Sequence, residues 1–257
     1  MISNLAYVNP KAKLGSNVTV EPFAYISGDV EIGDGTWIGP NAVIYDGARI
    51  GRNCRIFNGA SVSAIPQDLK FVGEVTTLEI GDNTTIREFA TLHRGTNSAQ
   101  KTVIGSNCLL MVYSHIAHDC IIGNNVIVGG YCGAAGEVKI DDWVILSGNV
   151  LIHQFAHIGA HVIVGGGSKV RIDVPPFIKA DREPLAFMGI NTIGLERRGF
   201  TKEKIHEIHE IYRTLYNMGM NTTQALQHIV DNFSQTPERD LILEFVKNSE
   251  RGIIKGR

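Results

Sequence analysis

No stretch of the 257-residue chain is apolar for the roughly 20 residues a membrane-crossing helix needs, although hydrophobic residues make up 44% of it. An excess of one charge is missing too. The 24 Lys and Arg stand against 26 Asp and Glu, a net −2, which excludes a chain basic throughout and with it general nucleic-acid binding. Cysteine is scarce, and the four present, Cys54, Cys108, Cys120 and Cys132, show no metal-type pairing. Residues 1–5 (MISNL) have no basic stretch running into an apolar core, so no secretion signal is expected. Together these absences point to a cytoplasmic chain of one large domain or two smaller ones, with no transmembrane segment.

What the chain does have is a period of six. Stepping by six from Val8 meets an aliphatic residue at each step as far as Val62, then at Ile80, Ile86 and Leu92, and again from Ile104 to Val170. Of these 25 positions 24 are Ile, Leu or Val, Ala134 being the exception. Four residues after each comes a small or β-branched one, such as Ala24, Ala42, Cys54, Val138 or Val162, and Gly, Asp and Asn crowd between. Six matches neither the helical nor the simple strand period. It fits short strands and turns wound as a solenoid, with aliphatic residues stacked inward, small residues at the corners, and Gly and Asn supplying the backbone angles of the turns. All four cysteines fall in the small column, where a compact thiol fills core.

Three hexads make one triangular coil of about 18 residues, coils stacking at roughly 4.8 Å. Counting in eighteens puts His118, Gly136, Glu137 and His153 along one corner and His93 on another. On that count His93 meets the His118 column only from a neighbouring subunit, so an active site between subunits is expected. An imidazole with a near-neutral pKa is suited to taking a proton from a hydroxyl.

Residues 63–77 and 95–102 interrupt the repeat and read as loops thrown out from corners, where function is often carried. Pro175 and Pro176 end it. Beyond Gly199 the period turns helical. Ile205, Ile208, Ile211, Tyr212 and Leu215 share a face closed by Gly219, Asn221 with Gln224 forms a capping box, and Thr236-Pro237 opens a last helix that buries Ile242, Phe245 and Val246. The expected organisation is a β-solenoid over 1–190 and a small α-helical domain over 191–257.

The six-residue repeat resembles that of the hexapeptide-repeat transferases, which implies a left-handed parallel β-helix assembled as a homotrimer. Six local motifs sharpen the match: residues 67–70 (QDLK), 93–96 (HRGT), 115–120 (HIAHDC), 153–155 (HQF), 173–176 (DVPP) and 197–200 (RRGF). In this order they resemble the UDP-N-acetylglucosamine O-acyltransferase family of lipid A synthesis, over essentially the whole chain. The resemblance implies transfer of a 3-hydroxyacyl group from acyl carrier protein to the 3-hydroxyl of UDP-N-acetylglucosamine, with no metal and no cofactor beyond the carrier-borne donor. It makes His118 the general base, Asp119 the support of its protonated form, and the Gly136 N–H the oxyanion donor. Asp68, Lys70, His93 and His115 match sugar or acyl contacts. His153, Gln154, Asn191 and Arg197 match nucleotide-side positions, and Gly166 lies in the region matched to acyl-chain length. Two positions depart from the family pattern, Glu137 where a histidine is usual and Ile193 where a carboxylate is usual. Residues 169–204 hold eight Lys and Arg against five acids, a local basic excess suited to an acidic carrier protein.

Three other readings of the same residues stand beside this one. A metalloenzyme of the γ-carbonic anhydrase type would use histidines across a subunit interface, though the His115-x-x-His118 spacing does not match its ligand pattern. A non-catalytic assembly module would not need His118. The sister N-acyltransferase would carry an N-terminal uridine-binding domain, for which a repeat starting at Val8 leaves no room.

Overall fold

The computed structural model of the protein describes residues 1–256. Each hexad folds alike. In a two-residue strand such as His115–Ile116 the first side chain faces out and the second is buried. All the aliphatic positions of the repeat are buried except Val8 and Leu14, at the open N-terminal end. Fully burying such a side chain contributes roughly 1.5–3 kcal/mol, and Ile104, Ile122, Ile140 and Ile158 stack as one such file.

Three residues after most of the aliphatics the backbone turns left-handed. Asn17, Asn41, Asn53, Asn107, Asn125, Asn149, Gly35 and Gly59 sit there, as do Tyr113, Asp119, Glu137 and Trp143, all with φ between 53° and 70°. Asn and Gly enter this region cheaply, whereas larger residues cost about 1 kcal/mol or more. The corner N–H then donates to the coil below, as Asn125 does to the Ser106 carbonyl (2.9 Å) and Glu137 to that of His118 (3.0 Å). Next comes the small buried residue. The cysteine thiols here donate to a carbonyl of the coil above, Cys120 to Ala135 (3.2 Å) and Cys132 to Ser147 (3.0 Å). All four cysteines are free, and burial raises their thiol pKa values, so they are inert core filler.

Repetition makes three parallel faces, here numbered in the order the chain visits them. The first runs from Tyr7–Val8 to Lys169–Val170, the second from Lys13–Leu14 to His157–Ile158, and the third from Thr19–Val20 to Ile178–Asp181. The winding is the left-handed parallel β-helix. Corners a few residues long, turned by left-handed residues, escape the right-handed preference of long crossovers.

Both interruptions leave the corner between the first and second faces, one after strand Ser61–Ala64 and the other after Thr91–His93. Across the first face Val43 pairs with Ser61, Ser61 with Thr91 and Thr91 with His115, spacings of 18, 30 and 24. The two enlarged coils thus carry twelve and six extra residues.

The prolines at 175 and 176 do not finish the sheet. Ile178–Asp181 pairs in parallel with Ile163–Val164, then antiparallel with Ala186–Ile190. Four helices follow: α1 (Thr192–Arg197), α2 (Lys202–Asn217), α3 (Thr222–Asn232) and α4 (Pro237–Asn248). The expected faces and caps of the last three are present, including the Asn221–Gln224 box and the Thr236 cap. The helix α1 was not anticipated, since six residues are too few to show a period. Residues 252–255 then leave the helices and pair back onto Asp173 and Ala186. Tyr212 and Tyr216 of α2 stack on Phe187. The helical region is thereby sewn to the end of the solenoid.

Candidate active site

His118 follows strand His115–Ile116 at the corner between the first and second faces, and Asp119 is the left-handed residue of that turn. The turn brings the two side chains together. His118 Nδ1 lies 2.8 Å from Asp119 Oδ2. An ionised carboxylate can only accept, so the Nδ1–H donates and the lone pair rests on Nε2. Nε2 faces Asp68 Oδ2 at 3.8 Å. His118 is 8% exposed and Asp119 3%, so Nε2 is the reachable atom of the pair.

Asp119 is held by the second loop. Its Oδ1 accepts from the Thr96 N–H (2.9 Å) and the Ala99 N–H (3.2 Å), and its Oδ2 from the Thr96 hydroxyl (2.6 Å). Burial alone would raise its pKa. The hydrogen bonds from Thr96, His118 and Ala99 outweigh that and hold the carboxyl below its usual value. Gly95 pinches the loop shut, its α-carbon lying against the Gln100–Lys101 backbone where a methyl would collide. The first loop ties in as well, through the Thr76 hydroxyl to the Gly95 carbonyl (2.6 Å) and the Asn97 N–H to Glu74 (3.0 Å).

One coil above, Gly136 covers the His118 ring. A methyl there would lie 2.5 Å from Cε1 and 2.7 Å from Nε2. Among the described residues the Gly136 N–H has no acceptor. His93, one coil below, meets His115 of the His118 coil edge to face, with centroids 4.9 Å apart. His115 Nδ1 is bonded to the Thr91 hydroxyl (2.7 Å). His93 is 3% exposed, and among the described residues its Nδ1 has no partner. Burial, then the neighbouring His115 and His118, push the His93 pKa down to about 4. Burial lowers His115 as well.

The placement of His93 corrects the eighteen-residue count. Because Thr91 pairs with His115 rather than with residue 109, the six extra residues of the second loop carry His93 onto the His118 edge of the same chain. Its position is that of Ala117 one coil up and of His153 three coils up. His93 therefore gives no argument for a shared site. His118, Gly136 and His153 keep their places, since no insertion separates them.

The remaining expected residues spread out. Lys70 is exposed, its N–H bonded to Asp68 Oδ1 (3.0 Å). His153 and Gln154 lie higher on the same edge, with His153 Nδ1 3.3 Å from Arg251 of the returning C-terminal segment. Glu137 accepts from the Ser98 hydroxyl (3.1 Å). Gly166 lies on a different edge, between the third and first faces, above Gly148. Asn191 and Arg197 lie past the last coil. Asn191 is buried, its amide oxygen capping α1 at the Gly194 N–H (3.2 Å) and its NH2 donating to the His161 carbonyl (2.8 Å). Arg197 ends α1, exposed. The sequence reading missed Thr96 and Ala99, whose only signal was their place in a loop next to the His93 motif. Among the described residues, no three His, Cys, Asp or Glu side chains are grouped to hold a metal ion.

This geometry can take a proton at Nε2, return it, and offer an N–H to developing negative charge beside it. The comparisons bear on the same stretch of chain. Residues 173–254 match the family described as Udp N-acetylglucosamine O-acyltransferase, domain 2, and residues 29–64 and 101–136 match the bacterial transferase hexapeptide repeats. The acyl-[acyl-carrier-protein]–UDP-N-acetylglucosamine O-acyltransferase of Pseudomonas syringae pv. syringae is 48% identical over 256 residues, 99% of each chain. The crystal structure of the UDP-N-acetylglucosamine acyltransferase from Bacteroides fragilis superposes with a TM-score of 0.97 at 50% identity, over 99% of this chain and 100% of that one. The Francisella novicida enzyme gives 0.96 at 38%, over 99% and 94%.

Proposed function

Because this chain belongs to the UDP-N-acetylglucosamine O-acyltransferase family, we propose that it moves a 3-hydroxyacyl chain from acyl carrier protein to the 3-hydroxyl of UDP-N-acetylglucosamine, opening lipid A synthesis, with His118 as general base. The observation that carries the mechanism is the His118–Asp119 contact beneath Gly136. His118 Nε2 takes the proton of the sugar hydroxyl as its oxygen attacks the thioester carbon. The Gly136 N–H receives the resulting oxyanion. As the intermediate collapses the C–S bond breaks, and the imidazolium returns its proton to the leaving thiolate. Asp119 holds the ring in the required tautomer and stabilises its charged form.

Asp68, 3.8 Å from Nε2, accepts from a sugar hydroxyl in this reading, and Lys70, His93 and His115 serve as further sugar or acyl contacts. His153, Gln154 and Arg197 take the nucleotide side, where a guanidinium fork suits a diphosphate. Asn191 serves that side through α1, which it caps.

We assign the chain to a homotrimer with sites between subunits. Two features support this. The loop that carries Asp68 exposes Leu69, Val72 and Val75 almost completely, an apolar surface that calls for a cover. Gly166, the acyl-chain residue, sits on a different edge from His118, so the two share a site only across an interface. The exposed Lys169, Lys179, Arg182 and Lys202 form the approach for an acidic carrier protein. The reaction is assigned to the cytoplasm, in keeping with four reduced, buried cysteines, and no helix of the described residues is long and apolar enough to cross a membrane.

The test is direct. The protein is incubated with UDP-N-acetylglucosamine and a series of 3-hydroxyacyl carrier proteins, and the product is weighed by mass spectrometry. A nucleotide sugar heavier by one 3-hydroxyacyl group is the expected result. Unchanged sugar nucleotide with every donor overturns it.

A further inference from the structure

The hydrogen bonds around Asp119 are divided unevenly. Its Oδ1 is occupied by two backbone N–H groups, of Thr96 and Ala99, which almost any side chains at those positions would supply. Its Oδ2 carries the bond to His118, and among the described residues the one other donor it meets is the Thr96 hydroxyl, at 2.6 Å. The hydroxyl and the imidazole therefore share one buried oxygen. Negative charge that the hydroxyl draws is charge the imidazolium cannot use.

We propose that Thr96 is a positioning residue for the reaction, its hydroxyl fixing the Asp119 carboxylate and setting how strongly that carboxylate stabilises protonated His118. The second loop is then part of the basicity control of the site. The proposal rests on the reading of His118 as the base, and it gives the loop a chemical task beyond closing the edge.

The geometry supports it on three counts. Thr96 is 6% exposed and Asp119 3%, so water does not readily replace the hydroxyl. The hydroxyl also accepts from the Ser98 N–H (3.2 Å), but four further contacts pin the loop: Gly95 against Lys101, Thr76, Glu74, and the Gln100 N–H on the Thr96 carbonyl (2.8 Å). Removing the hydroxyl therefore leaves the backbone donors in place. The other titratable groups around His118 are Asp68 from the first loop at Nε2, His115 from the strand that leads into His118, and His93 from the coil below. Above lies Glu137, bonded to Ser98. None of them is bonded to Thr96.

The sign follows. Taking a donor from Oδ2 leaves more charge facing Nδ1–H, so His118 holds its proton to higher pH and is a competent base over a narrower range. Thr96→Val keeps the shape and removes the donor, whereas Thr96→Ser keeps the donor and removes a methyl. Two readouts are taken on both variants and the parent: the His118 titration by NMR on protein labelled with ¹⁵N-histidine, and the acid limb of kcat/KM against pH. Thr96→Val is expected to move the His118 titration and the acid limb upward together by roughly half to one unit, and Thr96→Ser to restore both. A His118 titration unmoved in Thr96→Val, or moved equally in Thr96→Ser, overturns the proposal. A titration that moves while the acid limb stays in place leaves the positioning role intact and removes His118 as the base.

Discussion

Gly136 rests on the ring of His118 so closely that no side chain fits between them: a methyl at Gly136 would stand 2.5 Å from Cε1 and 2.7 Å from Nε2. Contacts under 3 Å between carbon and a ring atom force something to move. Asp119 pins the ring at Nδ1, so movement means tilting Nε2 or lifting the Gly136 amide. Both atoms belong to the proposed chemistry. Gly136→Ala is therefore expected to lower kcat by about 10²-fold, the scale of a 1 Å misplacement, with little loss of melting temperature. Gly133→Ala is the control, because its new methyl would meet only Leu151 Cδ2 at 3.4 Å. Equal kcat in the two variants would break the link between this packing and turnover.

His118→Ala is expected to reduce kcat by about 10²–10⁴, the range for loss of a general base. The side chain lies on a corner, outside the aliphatic stack, so circular dichroism and melting temperature should stay close to those of the parent. Steady-state kinetics with carrier-bound acyl donor decide it. Turnover within a few fold of the parent would assign the proton transfer elsewhere.

These two residues were legible from sequence alone while His93 was not, and the reason is arithmetic with a physical cause. The loops add twelve and six residues, both multiples of the hexad. The inward file of aliphatic residues thus keeps its phase through both loops and can be read from Val8 to Val170. Position around the coil depends on eighteen, and each loop shifts it by whole faces. His118, Gly136 and His153 follow the last loop and keep their relative places, whereas His93 lies between the loops and was assigned to the wrong edge. Thr96 was hidden for another reason. Its contact with Asp119 is made by a loop folding back across a corner, and no periodicity reports where a loop lands. Asn191 shows a third limit, since a residue type suited to binding a nucleotide is equally suited to capping a helix.

Acid should weaken the fold through two histidines outside the proton-transfer step. Burial, then neighbouring His115 and His118, push His93 down to about 4. Burial, then Arg198, against the opposing pull of Asp142, push His161 to about 4. Each is held neutral in the folded protein, while in the unfolded chain it takes up a proton near 6.5. Stability is therefore full above pH 6.5 and is lost as the pH falls from there toward about 4. His161 stacks between Trp143 and Phe177, and Phe155, at another corner, shows that a phenylalanine accepts the same left-handed backbone. His161→Phe should keep the stack and remove one titration. Melting temperatures from pH 7.5 to 4.5 should fall less steeply in the variant than in the parent, and parallel curves would exclude His161 as a source of the acid loss.

The solenoid is held by many equivalent contacts, so a single buried charge is the sharpest test of whether its coils fold as one unit. Ile140 is 1% exposed, stacked between Ile122 and Ile158, while its neighbour Lys139 points outward between Ile121 and His157. Ile140→Asp sets a carboxylate among aliphatic side chains with no partner, at a cost of several kcal/mol. That is comparable with the whole stability of a typical domain. Lys139→Asp changes charge on the solvent side and should cost under about 1 kcal/mol. Because each coil supplies the hydrogen-bond partners of the next, the damage at Ile140 should spread to both sides. Urea unfolding followed by hydrogen exchange reads this out. The expected result is loss of protection from the His118 coil through the His153 coil in Ile140→Asp, and none in Lys139→Asp. Protection lost only at residues touching position 140 would mean that the coils are stable singly.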